Sequence, residues 1–257
     1  MNDGIEVYIG SKPDRDSILK EYYSRYLIDV RQNKQSTVKH YLDALNNVSR
    51  RLKSKQLVSE SIYEVADVET LYKLREILFN DSDFKEADAK GRRMYSAGLN
   101  NYCRFASGEG FGEMASLFRK LDVPIAKEKN LTVKQTVWKR SGIIRLQSFE
   151  LAQYKCELDN SHETFIANST KKPYMEGHHA IPMNFQDKFK TSLDVYANII
   201  CLCPTCHRKI HYGISEDKNP LLDVIYYKRA ERMADSGIRV SKDEFKQLAQ
   251  KDIGCMV

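Results

Sequence analysis

The 257-residue chain lacks any apolar run long enough to span a membrane. Its opening stretch, MNDGIEVYIGSKPDRD, has neither a basic n-region nor an apolar h-region, so no secretory signal is expected and a cytoplasmic location is. There is no internal repeat and no low-complexity tract. The glycine-rich stretch ASGEGFGEM (106–114) lacks a lysine-serine/threonine ending and a preceding strand, which excludes a phosphate-binding loop and leaves a break between domains. The six cysteines, Cys103, Cys156, Cys201, Cys203, Cys206 and Cys255, lack the spacing of a disulfide framework, because three crowd into residues 201–206. In a cytosolic setting a CxxC reads as metal or redox chemistry, and no βαβ pattern surrounds this one to favour redox. A formal charge of +6 permits a polyanionic partner without requiring one.

What is present divides into two parts. Residues 16–107 read as helical. After Ser36, able to cap, Val38, Tyr41, Leu42, Leu45, Val48 and Leu52 recur at helical spacing. Leu71, Leu74 and Leu78, interrupted by Arg75, mark a second helix, and Tyr95, Gly98, Leu99, Tyr102 and Cys103 a third. Such stripes predict a small bundle, with His40 off the stripe at the surface. Residues 118–145 then run basic, through Arg119, Lys120, Lys127, Lys129, Lys134, Lys139, Arg140 and Arg145, with Trp138, the only tryptophan, among them. The run reads as a solvated linker or as an arm against phosphates. The expected division is a helical domain over 1–107, a basic linker over 108–142 and a third unit over 143–257. Near its end, residues 219–238 read as a helix with Pro220 in the first turn, followed by a helical tail from about Ser241.

Histidine and cysteine concentrate in the third unit. Cys203 and Cys206 form a knuckle that points two thiolates at one ion, and tetrahedral zinc needs two further ligands. Cys156 supplies one. Asp159 stands where a second CxxC would place a cysteine, and His162 follows three residues later. Imidazole is the better partner beside three thiolates, so His162 is favoured. Cys201, in the apolar run NIICLC, reads as a buried structural thiol. His207 and His211 are four apart, so on a helix they share one face and can hold a second divalent ion. His178 and His179, in EGHHAIPM, diverge because they are neighbours. One can join the second ion, and the other then lies where a general base takes a proton from water. Asn198, just ahead of the strand IICL, can hold a histidine in one tautomer. Glu176 reads as an anchor for the local hairpin or a partner for a basic side chain.

The combined pattern, H-H…N…C-x2-C-H-x3-H, resembles the HNH nucleases over about residues 143–215. The histidine spacing is similar to that of the nuclease colicins, and the knuckle to HNH domains of bacterial restriction endonucleases, including modification-dependent ones. The resemblance implies an α+β protein, with a helical N-terminal domain and a C-terminal ββα-metal domain carrying a zinc knuckle. It implies that His179 is the general base, oriented by Asn198. His178, His207 and His211 then hold a catalytic Mg2+, Mn2+, Ni2+ or Zn2+. Cys156, Cys203 and Cys206 hold a structural zinc, with His162 or Asp159 as fourth ligand. The implied reaction is attack of water on double-stranded DNA, leaving 5′-phosphate and 3′-hydroxyl ends. Arg208, Lys209, Lys188 and Lys190 are candidate phosphate contacts. Arg92, Arg93 and Arg104 make the helical half a candidate source of specificity, and its helices faintly resemble the core-binding domain of tyrosine recombinases. The expected function is a bacterial or phage endonuclease of restriction or defence type, acting as a homodimer or by sequential nicking. The alternatives are a modification-dependent nuclease, a low-specificity nuclease, or a zinc-stabilised DNA-binding protein without catalysis. The intact histidine set argues against the last.

Overall fold

Acidic side chains start several helices where their backbone N–H groups lack partners. In the computed structural model, which describes residues 17–127, 138 and 140–251, Asp67 caps Thr70 N and Asp81 caps Phe84 N. Lys129, Lys134, Lys139 and Cys255 lie outside the described residues. The first half is helical: α1 (Ile18–Arg25), continued by a π-helical turn to Val30, then α2 (Gln35–Ser54), α3 (Val68–Asn80), α4 (Ser82–Lys90) and α5 (Met94–Ser107). The stripe on α2 buries Val38, Leu45, Val48 and Leu52, and that on α3 buries Leu71, Leu74 and Leu78. His40 is exposed.

Helices α2 and α5 approach closely because both are small at their crossing. A Cβ on Gly98 would lie 2.7 Å from Ala44 Cβ, an atom fixed to the opposing helix backbone. Gly98→Val should therefore destabilise the protein by about 2 kcal/mol, measured by urea unfolding, because a packed crossing resists added volume.

The second half consists of α6 (Gly142–Leu151), β1 (Glu176–His179), β2 (Ile199–Leu202), α7 (Pro204–Tyr212), α8 (Ser215–Asp235) and α9 (Lys242–Lys251). The strands are antiparallel, with His178 opposite Ile200 and His179 opposite Ile199. Helix α6 lies close on β1: a Cβ on Gly177 would come within 2.7 Å of Arg145 Cγ. The sequence reading started the helix after the knuckle at Pro220. It starts instead at Ser215, so Pro220 lies inside α8. Glu216 and Asp217 favour the earlier start, since carboxylates suit a helix N-terminus.

The two halves share one core, and it takes in part of the range 108–142. Among the described residues of that range, Phe111, Phe118, Leu121, Ile125 and Trp138 are buried. Phe111 and Phe118 pack against Tyr26 of the first half. Tyr22 of α1 stacks on Tyr196 with ring centroids 4.2 Å apart and accepts a bond from Tyr196 N. Gln147 of α6 links Tyr196 Oη to the carbonyl of Phe105. Of the described basic side chains of the range, Arg119 pairs with Glu231, Lys120 donates to the Asp29 carbonyl, and Lys127 donates to the Phe189 carbonyl and lies over Trp138. Aromatic residues between the cations account for its place in the core, because their burial outweighs the local polarity. Among the described residues no helix is long and apolar enough to cross a membrane.

Candidate metal centres and active site

The segment from α6 to β1 contains no helix, yet it delivers two side chains to the start of α7. Cys156, His162, Cys203 and Cys206 bring one donor atom each to within 4.8 Å of one another. His162 Nδ1 lies 3.5 Å from Cys203 Sγ and 3.4 Å from Cys206 Sγ. Tetrahedral zinc with sulfur at about 2.3 Å separates its ligands by about 3.7 Å, so the donor set fits that ion. Asp159 stands outside the set. One of its oxygens accepts from the backbone and hydroxyl of Ser161, and the other lies 3.5 Å from His162 Nε2. It thus pins the turn and faces the far side of the imidazole ring.

Electrostatics in this cluster also suit a cation. Burial pushes the Cys156 thiol up, but the backbone amides of Cys203, Asp159 and Leu158 and the His162 ring outweigh it and hold the thiol at about 7. Burial, Cys203 and Cys156 push Cys206 up. One thiolate therefore opposes the next, a conflict that a divalent charge relieves. Cys201 is buried on β2 and outside the cluster, with its thiol pushed up by burial.

The second cluster joins β1 to α7. Pro204 occupies the first turn of α7 and Cys203 Sγ accepts from Cys206 N, so the helix begins at the knuckle. His207 and His211 consequently share a face, with their Nε2 atoms 3.3 Å apart. His178 meets both, at ring-centroid distances of 5.3 and 5.0 Å. Burial and the other histidines hold His178 well below its ordinary pKa, so it is the neutral imidazole that can ligate a metal. His207 Nδ1 donates to Glu176 Oε2 at 2.5 Å, which leaves Nε2 facing the cluster. Glu176 thus supports a candidate ligand, as carboxylates beside metal-bound histidines do.

His179 turns to a different partner. Its Nε2 donates to Asp194 Oδ1 at 2.9 Å, and the other oxygen of Asp194 accepts from Ser141 N at 2.7 Å. Asp194 is 2% exposed. The sequence reading gave the orienting task to Asn198, and the structure assigns its polar atoms elsewhere. Asn198 Oδ1 accepts from Ile181 N, while Nδ2 donates to the carbonyls of Ile181 and Leu193. It fixes the backbone on either side of the crossing, two residues beyond His179, and the ring itself is held by Asp194. The available signal was a carboxylate inside the apolar run SLDVYAN, because a buried acid needs partners.

Arg208, Lys188 and Lys190 are exposed, whereas Lys209 lies 3.5 Å from Asp217. Lys188 also sits over the Phe185 ring.

A match to a known family falls on the same segment. Residues 160–213 match the HNH endonuclease family model. Over 116 residues the chain is 28% identical to the type IV methyl-directed restriction enzyme EcoKMcrA of Escherichia coli (strain K12). The match covers 44% of this chain and 39% of that relative, so the chain spans about two-fifths of the relative's length.

Proposed function

We propose, from the premise that the chain is an HNH-type nuclease, that it is a DNA endonuclease of restriction or defence type using one divalent ion. The observation that carries this reading is the division of labour between adjacent histidines. His178 converges with His207 and His211, while His179 is held apart by buried Asp194. His178, His207 and His211 would hold the ion, which when bound stabilises charge on the phosphate and on the leaving 3′ oxygen. His179 takes the proton of the attacking water at Nδ1, since Nε2 is engaged by Asp194. Three imidazoles suit the softer ions better than magnesium, although availability decides loading. The Cys156, His162, Cys203 and Cys206 cluster would hold a structural zinc. Arg208, Lys188 and Lys190 would meet backbone phosphates.

Glu176→Ala should weaken metal binding at the histidine cluster about 10- to 100-fold, measured by titration of Mn2+ or Ni2+, because His207 loses its supporting carboxylate.

The reading is tested by incubating supercoiled plasmid with the protein and Mg2+, Mn2+ or Ni2+, beside His179→Ala. Discrete fragments that vanish in the variant support it. A smear makes the protein a low-specificity nuclease. Binding without cleavage under every metal, on methylated and unmethylated plasmid alike, overturns catalysis in favour of a zinc-stabilised DNA-binding protein. A second reading, dependence on base modification, is favoured by the methyl-directed activity named for the relative. Fragments from methylated plasmid alone would establish it. Nicked circles preceding linear product would indicate sequential nicking, and their absence a homodimer.

A further inference from the structure

Between the two clusters the chain makes a small hairpin that neither cluster needs. Ile166 bridges to Pro173, Tyr174 N donates to the Phe165 carbonyl, and Ala167 N donates to the Lys172 carbonyl. Lys171, at φ +55°, turns the chain. Phe165 and Tyr174 thereby face each other across the hairpin and stack, with centroids 4.8 Å apart and planes within 15°. This stack stands in solvent. Phe165 is 65% exposed, Ile166 60% and Tyr174 36%. Isolated exposed hydrophobics are ordinary, but three gathered in one ten-residue finger mark a contact surface.

The finger's place selects what it touches. Tyr174 Oη donates to Glu176 Oε1 at 3.4 Å, and the other oxygen of Glu176 accepts from His207. Two hydrogen bonds therefore connect the stack to the histidine cluster, which places the finger beside it. Residues 164–175, TFIANSTKKPYM, contain no acid; of their two lysines, Lys172 pairs with Glu150 and Lys171 is exposed at the tip. The tip exposes Asn168, Ser169, Thr170 and Lys171. Flat rings, a branched apolar side chain, short polar groups and the exposed charge of Lys171 match nucleic acid. Rings stack on bases, isoleucine can wedge at a base step, and lysine meets phosphate.

We infer that residues 164–175 form a DNA-contacting finger, in which Phe165 and Ile166 press on bases or sugars beside the bond to be cut. The inference rests on the nuclease reading above. Its function is to hold the duplex in register with the histidine cluster and to bias where cleavage falls.

The test uses the full chain carrying both Phe165→Ala and Ile166→Ala. DNA affinity is measured by anisotropy in the non-cleaving His179→Ala background, with a duplex spanning a cleavage site mapped on plasmid. Removing the finger's apolar surface should weaken binding about tenfold or more, as loss of base–aromatic contacts does. Melting temperature and metal affinity should stay at the parent's values, since both residues are exposed. A 2-aminopurine beside the cut should brighten with the intact finger and not with the double variant. A double variant that binds and cuts like the parent at the same positions overturns the finger while leaving the nuclease reading intact. A parent that neither binds nor cuts DNA under any metal overturns both.

Discussion

Asp194→Asn should yield a folded protein that binds DNA and metal like the parent but cleaves about 10²- to 10⁴-fold more slowly, the usual contribution of a general base. The reason is acceptor arithmetic. Asp194 receives two N–H donors, Ser141 N at 2.7 Å and His179 Nε2 at 2.9 Å. A carboxylate accepts at both oxygens, whereas an amide has one oxygen and one NH2. The backbone N–H of Ser141 has no lone pair to offer, so the asparagine oxygen must turn toward it. The NH2 then faces His179 Nε2 and can only donate to it. The ring proton moves to Nδ1, the nitrogen that must be bare to take a proton from water. The variant also loses the negative charge that stabilises the imidazolium as it forms. A fall in kcat with unchanged KM, together with ¹⁵N shifts showing the exchanged His179 tautomer, would establish Asp194 as the positioning group. Parent-like cleavage with an unexchanged tautomer would remove it from that role.

Cys203→Ala should cost the protein its zinc, much of its stability and its cleavage activity together. Residues 152–175 contain no helix and, apart from the finger's single bridge, no strand pairing. Cys156 and His162 tie this segment to Cys203 and Cys206 at the start of α7, beside the bonds of Glu157 to Cys201 and Arg229 and the pair of Lys172 with Glu150. Structural zinc contributes directly to folding free energy, about 10 kcal/mol or more in small zinc peptides. Here it would replace the sheet pairing that this segment lacks. Cys206 is followed immediately by His207, so loosening the knuckle also disperses the histidine cluster. Metal analysis of the purified parent should find one zinc per chain, and the variant should find none and melt at lower temperature. Cys103→Ala is the control. That thiol is buried in the helical half and pushed by burial to about 12, so its loss should leave the zinc in place. A zinc-free Cys203→Ala protein that melts like the parent would end the structural-zinc reading.

Legibility followed the range of the interaction. The spacing C-x2-C-H-x3-H was readable because each relation in it belongs to one element. A knuckle at a helix start presents Cys203 and Cys206 together, and 3.6 residues per turn puts His207 and His211 on one face. The stripes of α2, α3 and α5 were readable for the same reason. The preference for His162 over Asp159 followed from ligand chemistry, and in the structure Asp159 lies beside the far ring nitrogen of His162.

The rest depended on which distant segments meet. His179 finds Asp194 fifteen residues away, and Asp194 is completed by Ser141, fifty-three residues from it. Neither distance is a period of any helix or strand. Asn198 was recognisable as part of the pattern, but whether it held a ring or a backbone depended on where Ile181 and Leu193 cross it. The basic stretch 118–145 read as a solvated linker or an arm against phosphates because charge is counted by composition, whereas the burial of Phe118 within it is decided by the aromatic faces opposite, Tyr26 and Tyr196. By itself, then, the sequence determined the helices, the two sets of candidate metal-binding residues and the kind of chemistry they suit, because local periodicity and ligand type carry that information. Only the tertiary structure decided which acid holds His179, that the two halves share one core, and that Phe165 and Tyr174 stack beside the histidine cluster. Those are contacts between segments brought together by burial of apolar surface, which acts without regard to separation along the chain.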